Sequence, residues 1–162
     1  MILLRRNEES LTTTRAVFAA ATVFTAAMLV AVAGSRAATG PAHVRITDVQ
    51  VAYDVVRPKS GAVVGSTELI QQRLYNLRIS RRAIGHASMM CTYLDRRRRS
   101  CTATYTLPRG SLVVTGAIQS RLLYEIPIVG GTGLFDNARG TLTVTSTHLR
   151  PRREVLLFRL TG

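Results

Sequence analysis

Several residue types that carry chemistry are scarce in this chain of 162 residues. It contains two cysteines and three histidines, and its nine acidic residues stand against 22 basic ones. Two cysteines, with no further Cys or His group at ligand spacing, argue against a metal site. His43, His86 and His148 are scattered, with no spacing typical of a catalytic triad or a ligand set. We therefore expect neither a metal nor a cofactor.

Lysine is nearly absent from the chain. It has one lysine, Lys59, and 21 arginines. The formal net charge of +13 first suggests a nucleic-acid partner. Aromatic residues, however, make up only 6% of the chain and do not interleave with the basic ones, as a base-stacking surface requires. We predict no specific nucleic-acid partner, and we interpret the charge as a basic surface that attracts anionic walls, lipids or polymers without specificity.

The first forty residues differ in composition from the rest. Arg5, Arg6 and Arg15 precede an apolar run over residues 16–33, which ends near the small residues Ser35 and Ala37. That order is typical of a secretory signal, so we predict a signal peptide over residues 1–37 and a secreted domain over residues 38–162. The run is also close to the length of a membrane span, and an uncleaved anchor helix is the alternative. A membrane partner is expected only in that second case.

From residue 42 onward the hydrophobic pattern has period two, and no stretch shows a helical stripe. Residues 141–147 read Thr-Leu-Thr-Val-Thr-Ser-Thr, which places hydroxyls on one face and mostly apolar groups on the other. Turns rich in Gly, Pro, Arg and Ser separate similar runs. The predicted strands are 43–56, 68–79, 84–94, 101–107, 112–120, 122–129, 141–147 and 154–160. Because eight short antiparallel strands can close without an open edge, we predict an all-β, eight-stranded antiparallel barrel after the signal or anchor helix.

Cys91 and Cys101 lie on either side of an arginine run at residues 96–99. If the flanking strands form a hairpin that turns there, the two cysteines come opposite each other across the ladder. Export to an oxidising compartment then favours a structural disulfide over free thiols or a catalytic thiol. The arginines at the tip repel one another, so we expect them to project into solvent.

The most distinctive stretch spans residues 124–140, where four glycines follow an apolar strand. It is not a phosphate-binding loop, because no Lys-Ser/Thr ends it and no helix-forming run follows it. We interpret it as a tight corner between two strands, in which glycines adopt backbone angles closed to other residues. Phe135 is expected to fold back and plug the end of the barrel. The structural glycines are Gly130, Gly131, Gly133 and Gly140.

Residues 127–135 read Pro-Ile-Val-Gly-Gly-Thr-Gly-Leu-Phe, and Ala138-Arg139-Gly140 and an alternating strand follow. This pattern resembles the plant dirigent proteins and, more loosely, the allene oxide cyclases. The best overall likeness is to bacterial secreted proteins that share that barrel. Further marks occur in the same order, namely Gly85, Cys91-Thr92, Cys101-Thr102, Leu107-Pro108-Arg109-Gly110 and residues 156–160. The resemblance covers about residues 44–160.

The resemblance implies an eight-stranded barrel with an apolar lumen, often assembled as a homotrimer. Plant dirigent proteins hold reactive phenolic radicals or quinone methides and direct their coupling or ring closure. The cyclases close an unstable fatty-acid epoxide. Both steer an already reactive substrate, mainly by confinement and a few polar groups. From this resemblance we expect a small hydrophobic ligand and an isomerase- or cyclase-like activity.

The resemblance also suggests two catalytic residues. Glu125 stands two places before Pro127, where dirigent sequences usually have an acid, and would protonate or orient a substrate in the lumen. Its alternative is an outward-facing strand position. Arg139 matches the family's arginine and would polarise an oxygen, whereas its alternative role is to tie the corner to a neighbouring carbonyl. At residues 65–66, Gly-Ser replaces the Gly-Asp often found in bacterial relatives, so one acid of the usual set is absent.

Asp48, Tyr53 and Phe135 are the candidate ligand-binding residues. By parity, Asp48 and Tyr53 lie on opposite faces of the first strand, so both point inward only if a bulge intervenes. Two functions follow from the sequence. The first is a secreted dirigent-like barrel that binds a small hydrophobic molecule and steers its cyclisation or coupling. The second is a non-catalytic secreted binding or structural module with a basic surface.

Overall fold

The structure, a computed structural model, describes residues 41–78, 82–119, 122–147 and 151–161. Within these ranges eight strands form one closed antiparallel barrel in chain order, and the last strand pairs with the first. They are β1 (Ala42–Val56), β2 (Thr67–Asn76), β3 (Gly85–Tyr93), β4 (Arg98–Leu107), β5 (Gly110–Gln119), β6 (Leu123–Gly131), β7 (Arg139–Ser146) and β8 (Arg153–Thr161). The predicted all-β barrel is confirmed. The predicted N-terminal signal or anchor helix, and His148, lie outside the described residues.

The inside of the barrel is built by strict alternation along the strands. In β6, for example, Tyr124, Ile126 and Ile128 are buried while the residues between them are exposed. The rings of Tyr105 on β4 and Phe158 on β8 meet edge to face, with 5.1 Å between their centroids. Both side chains are fully buried, and burial of such a side chain contributes about 1.5–3 kcal/mol.

A β-bulge at Val51 changes which face of β1 points inward. The register with β2 shifts between Gln50 and Ala52, so Val51 is an extra residue on β1. Before the bulge Asp48 is opposite Leu74, and after it Tyr53 is opposite Ile70. The inserted residue reverses the parity, and Asp48 and Tyr53 therefore both face the inside of the barrel. The sequence analysis allowed both residues to point inward only if a bulge lies between them, and the structure contains that bulge.

The two ends of the barrel differ. The β2–β3, β4–β5 and β6–β7 connections meet at one end, which we call the Phe135 end. There a short 3-10 helix, Gly133–Phe135, places Phe135 in the core beside Ala138. Phe135 is only 8% exposed, so the predicted plug is present. The other four connections meet at the opposite end, which we call the rim.

The glycines of the corner are required to different degrees. Gly140 has φ +140°, and a Cβ there would lie 1.9 Å from the carbonyl oxygen of Arg159. At Gly131 a Cβ would lie 2.3 Å from the carbonyl oxygen of Phe135, and at Gly133 it would lie 2.5 Å from that of Arg109. Gly130 is different, because a Cβ there would meet only the Arg139 Nη1 atom at 3.9 Å. Sterics therefore demand glycine at three of the four predicted positions and not at Gly130.

Cys91 on β3 and Cys101 on β4 are directly opposed and form the disulfide predicted from the sequence. Both cysteines are fully buried on the inner face. Arg96, Arg97 and Arg98 are exposed, as predicted for the arginine run. For Arg99 that prediction is wrong, because this residue occupies an inward-facing position of β4 and is buried. It lies two residues before the inward-facing Cys101, so strand parity turns its side chain into the barrel.

No helix among the described residues is long and apolar enough to cross a membrane.

Candidate functional site

Asp48 lies at the centre of a buried polar cluster, which we call the Asp48 site and which also contains Gln72, Tyr105, Tyr124 and Glu154. The bulge-free part of β1 places Asp48 opposite Leu74 on β2 and Glu154 on β8. Asp48 Oδ1 accepts a hydrogen bond from the backbone N–H of Glu154 at 2.9 Å, and Oδ2 accepts one from Gln72 Nε2 at 2.5 Å. Asp48 is fully shielded from solvent.

Burial, and after it the nearby charge of Glu154, raise the pKa of Asp48 from 3.8 to about 8. The hydrogen bonds from Glu154 and Gln72, and the charge of Arg152, offset this only in part. The carboxyl group is therefore protonated at neutral pH. A buried neutral carboxylic acid is a group that can donate a proton to a bound substrate.

Glu154, the second acid of the Asp48 site, has a different environment. Its Oε1 accepts a hydrogen bond from Ser146 Oγ at 2.7 Å and forms an ion pair with Arg152 Nη2 at 3.0 Å. The hydrogen-bond donors to Asp48 are neutral, whereas Glu154 has a cation as its partner. Two neighbouring carboxyl groups thus have different surroundings, the arrangement that separates a proton donor from a charged group.

Two tyrosines complete the Asp48 site. Burial raises the pKa of both Tyr105 and Tyr124 well above the usual value, so both phenols keep their protons. The Tyr105 hydroxyl and the Gln72 Oε1 atom are buried, and neither has a hydrogen-bond partner among the described residues. Unpaired buried polar atoms are costly, and a binding site is one place where they occur because a ligand or water completes them.

A second polar cluster, which we call the Glu68 site, lies nearer the rim; Glu68 and Arg99 in it are buried, Tyr93 is partly buried and Tyr53 is about half exposed. Glu68 Oε1 accepts hydrogen bonds from the hydroxyls of Tyr53 at 2.7 Å and Tyr93 at 2.9 Å. Its Oε2 forms a buried ion pair with Arg99 Nη1. Burial favours protonation of Glu68, but the two hydroxyls and Arg99 outweigh it and hold the pKa of this carboxyl below its usual value. Burial and the bond to Glu68 raise the pKa of Tyr53 to about 12.

The expectation of a lumen acid at Glu125 is wrong. Tyr124 and Ile126 point inward, so strand parity turns Glu125 to the outer face of the barrel. Its side chain is 56% exposed, forms an ion pair with Arg159 and accepts a hydrogen bond from Thr143 Oγ1 at 2.9 Å. The outward-facing alternative describes this residue, and the inner wall carries its acids on β1, β2 and β8 instead.

Arg139 also lies away from the inner polar clusters. It is exposed at the start of β7, at the Phe135 end, and its Nη1 donates to the carbonyl oxygen of Ala138 at 2.9 Å. That contact matches the alternative in which the arginine ties the corner to a neighbouring carbonyl. Phe135 lies at the same end, within the apolar core. Of the five candidate catalytic and ligand-binding residues, the structure brings only Asp48 and Tyr53 to the inner polar wall.

Several residues of the two sites were missed from the sequence. They are Glu68, Gln72, Tyr93, Arg99, Tyr105, Tyr124 and Glu154. Parity relative to the cysteines could have found some of them, since Tyr93, Arg99 and Tyr105 share the inward face with Cys91 and Cys101. On β2, polar residues occur on both faces, so no pattern marks Glu68 and Gln72 as inward. The described residues contain no group of three His, Cys, Asp or Glu that could hold a metal ion.

Comparison with known proteins gives matches among solved structures. No family model and no curated protein matches the chain. A pyocyanin demethylase matches with a TM-score of 0.61 at 20% identity, over 74% of this chain and 100% of its own. A pterocarpan synthase dirigent protein matches with a TM-score of 0.59 at 18% identity, over 76% of this chain and 98% of its own. An exo-specific intermolecular Diels-Alderase matches with a TM-score of 0.59 at 14% identity, over 75% of this chain and 99% of its own.

The chain has a dirigent-like fold. The resemblance inferred from the glycine corner is thus confirmed at the level of the barrel, which dirigent proteins share with Diels-Alderase and cyclase barrels. At sequence identities between 14% and 20%, the similarity shows the fold and does not assign a role to any residue. In this dirigent-like barrel, the chemistry has to be argued from the Asp48 site and the Glu68 site themselves.

Proposed function

We propose that this dirigent-like barrel binds a small hydrophobic molecule against its inner wall and steers its cyclisation or coupling, with Asp48 as the proton donor. The observation that carries the proposal is the buried carboxyl of Asp48, whose pKa lies near 8, beside the unpaired hydroxyl of Tyr105. Convergent polar groups on an otherwise apolar wall are one feature of a small-molecule site, and Asp48, Gln72 and Tyr105 supply it here. The activity would be that of an isomerase or cyclase, and it needs no cofactor.

The first step is proton donation from the Asp48 carboxyl to an oxygen of the bound molecule. This makes the substrate more electrophilic, and the Asp48 carboxylate that remains is stabilised by hydrogen bonds from Gln72 Nε2 and the Glu154 backbone N–H. When the new ring or bond has formed, the product returns a proton to Asp48, so the residue ends the cycle as it began. Confinement by the apolar wall selects the folded conformation of the substrate that reacts.

The Tyr105 hydroxyl is suited to donate a hydrogen bond to the same substrate oxygen, because it has no partner among the described residues. Gln72 Oε1 is suited to accept one from a hydroxyl of the substrate for the same reason. The Glu68 site acts by positioning. Its ionised carboxylate holds the hydroxyls of Tyr53 and Tyr93, so that their rings frame the inner wall near the rim.

We further propose that the protein is secreted and works in an oxidising compartment, which the buried disulfide between Cys91 and Cys101 favours. A homotrimer is proposed on the fold likeness alone. A second candidate function is a non-catalytic binding module with a basic surface, and the exposed arginines Arg96, Arg97 and Arg98 at the β3–β4 turn favour it. The interior would then take no part in function.

The test is mass spectrometry of small molecules that co-purify with the wild-type protein and with the variants Asp48→Asn and Glu125→Gln. A hydrophobic ligand in the wild type and in Glu125→Gln supports the lumen site. Conversion of that ligand or its precursor should fall by about 10²–10⁴ in Asp48→Asn, as expected for loss of a general acid. Glu125→Gln, on the outer face, is the matched control and should keep full turnover.

Two results contradict the proposal. The first is a ligand that binds equally well to all three proteins and is never converted, which supports the binding module. The second is an Asp48→Asn variant that converts the substrate at the wild-type rate.

A further inference from the structure

The rim carries exposed aliphatic side chains on three of its connections. Val63 and Val64 lie on the β1–β2 loop, Leu94 follows β3, Leu122 precedes β6 and Val56 ends β1. Each of these side chains is about half exposed. Exposure of several neighbouring aliphatic side chains to water is unfavourable in free energy, and such a group marks a contact surface.

The barrel topology brings these residues to one end. In an up-and-down barrel the connections after the odd-numbered strands all lie on the same side. Backbone hydrogen bonds of 2.9 Å from Gly65 to the Tyr93 carbonyl, and from Tyr93 to the Ser66 carbonyl, fasten the β1–β2 loop to the end of β3. Val64 and Leu94, the neighbours of these residues, therefore lie at the same part of the rim.

Exposed cations lie among the aliphatic residues of the rim. Arg57 and Lys59 are on the β1–β2 loop, and Arg96 and Arg97 form the tip of the β3–β4 turn. Asp95, the acid of that turn, accepts hydrogen bonds from the backbone N–H groups of Arg97 and Arg98 and pairs with the Arg98 side chain. Its charge is therefore engaged locally, and the tip presents positive charge outward.

The Phe135 end provides a comparison within the same molecule. It is also basic, since Arg78 and Arg109 are exposed on its described connections. The exposed large aliphatic residues described on those connections are Leu77 and Leu134. Positive charge is thus common to both ends, and grouping with several aliphatic side chains is the property of the rim.

We propose that the rim docks on an anionic lipid surface. Aliphatic side chains flanked by Arg and Lys are the combination that enters the boundary between headgroups and acyl chains while the cations meet anionic headgroups. A nucleic acid or another soluble polyanion would use the cations and would leave Val63, Val64 and Leu94 in water. This docking does not depend on chemistry at the Asp48 site, although it would place the rim-side tyrosines of the Glu68 site next to a source of apolar molecules.

The chain contains no tryptophan, so a single introduced tryptophan reports its own position. The full chain is prepared as Val64→Trp, at the rim, and as Leu134→Trp, at the Phe135 end, where the side chain is also about half exposed. Each is mixed with phosphatidylcholine vesicles with and without phosphatidylglycerol, using acyl chains brominated to quench nearby tryptophan. We expect a blue shift and quenching for Val64→Trp with the anionic vesicles, and an unchanged spectrum for Leu134→Trp.

The proposal is overturned if neither tryptophan is quenched, if both are quenched equally, or if only Leu134→Trp is quenched. It is also overturned if soluble polyphosphate shifts the Val64→Trp emission and lipid does not quench it. Both variants contain the same N-terminal segment, so attachment through that segment alone would not give selective quenching at the rim. Circular dichroism of both variants checks that the barrel has formed.

A second pair of variants tests the role of charge. In the Val64→Trp background, the double substitution Arg96→Glu and Arg97→Glu should weaken partitioning to anionic vesicles by at least roughly tenfold. Arg78→Glu with Arg109→Glu, at the Phe135 end, changes the net charge equally and should have much less effect. Equal losses of partitioning in the two double variants would mean that the overall charge attracts the protein to lipid and that the rim has no special role.

Discussion

The backbone N–H of Glu154 donates a hydrogen bond of 2.9 Å to Asp48 Oδ1, across the β1–β8 ladder where the two residues are directly opposed. Both side chains are buried, yet only Glu154 has a cation as its partner. Burial beside that acid keeps the proton on Asp48 at neutral pH. The pairing of β1 with β8 thus places Asp48 beside Glu154 in a buried position, and this makes Asp48 the proton-donating carboxyl that we assign to the site.

The first prediction concerns the pH dependence of stability. The Asp48 carboxyl has a pKa of 3.8 when unfolded and about 8 when folded, so the folded state binds one more proton between these values. The free energy of unfolding should fall as pH rises from about 4 to about 8, by at most about 1.4 kcal/mol per pH unit for this group. Urea unfolding at pH 5, 6, 7 and 8 measures the slope.

Asp48→Asn should flatten that slope, because asparagine does not titrate. Asp54→Asn, at an exposed position on the same strand, is the control and should keep the wild-type slope. An identical slope in wild type and Asp48→Asn would show that Asp48 titrates as an ordinary carboxyl.

The second prediction concerns the buried ion pair of the Glu68 site. Glu68 and Arg99 are both almost fully buried, so Arg99→Met leaves an uncompensated carboxylate inside the barrel. We expect a loss of about 3–5 kcal/mol in the free energy of unfolding. The double variant Glu68→Gln with Arg99→Met should cost clearly less than the sum of the single variants, because no charge is then left unpaired. Chemical denaturation of the four proteins completes the cycle.

The matched control for the ion pair is on the outer wall. Arg159→Met removes the partner of the exposed Glu125 and should have little effect on the denaturation midpoint, because water solvates the remaining carboxylate. Strict additivity of the Glu68 and Arg99 substitutions would contradict coupling between the two residues.

The third prediction concerns the disulfide between Cys91 and Cys101, which are separated by ten residues in sequence. Closing a loop of this length restricts the unfolded chain, and its reduction should lower stability by about 2–3 kcal/mol. Thermal unfolding with and without dithiothreitol measures the change. The variant Cys91→Ala with Cys101→Ala should be insensitive to dithiothreitol, and any residual effect of the reductant on it would show that the loss has another origin.

The fourth prediction compares two glycines on the corner. Gly140→Ala places a Cβ 1.9 Å from the Arg159 carbonyl at φ +140°, whereas Gly130→Ala meets nothing closer than 3.9 Å. We expect Gly140→Ala to destabilise the barrel by more than about 1–3 kcal/mol, because it combines backbone strain with a clash. Gly130→Ala should change the denaturation midpoint little. A larger loss for Gly130→Ala than for Gly140→Ala would contradict this account of the corner.

Parts of the fold could be predicted from the sequence because they follow from parity or from a local turn. The opposed cysteines and the plug at Phe135 are of this kind. For the site, parity indicated only that Asp48 and Tyr53 lie on opposite faces of β1 unless a bulge intervenes. The family resemblance implied a lumen acid at Glu125, but the parity of β6, in which Tyr124 and Ile126 point inward, decides that Glu125 points outward. Arg99 was misplaced because the turn is shorter than the arginine run, so the run enters β4.

Other features required three dimensions. The bulge at Val51 has no marker in the sequence, yet it decides that Tyr53 reaches Glu68. Glu68 and Arg99 are separated by 31 positions, and no local pattern pairs them. Asp48 and Glu154 are separated by 106 positions and meet only because β8 closes the barrel on β1.

By itself, the sequence determined the strands, because alternation of polar and apolar residues has a period that only an extended chain can bury on one face. It also determined the disulfide and the glycine corner. Only the tertiary structure decided which acids are functional candidates, because the protonation state of a carboxyl depends on how much water and charge surround it. Those surroundings come from strands far apart in the chain, and they exist only once the barrel has closed.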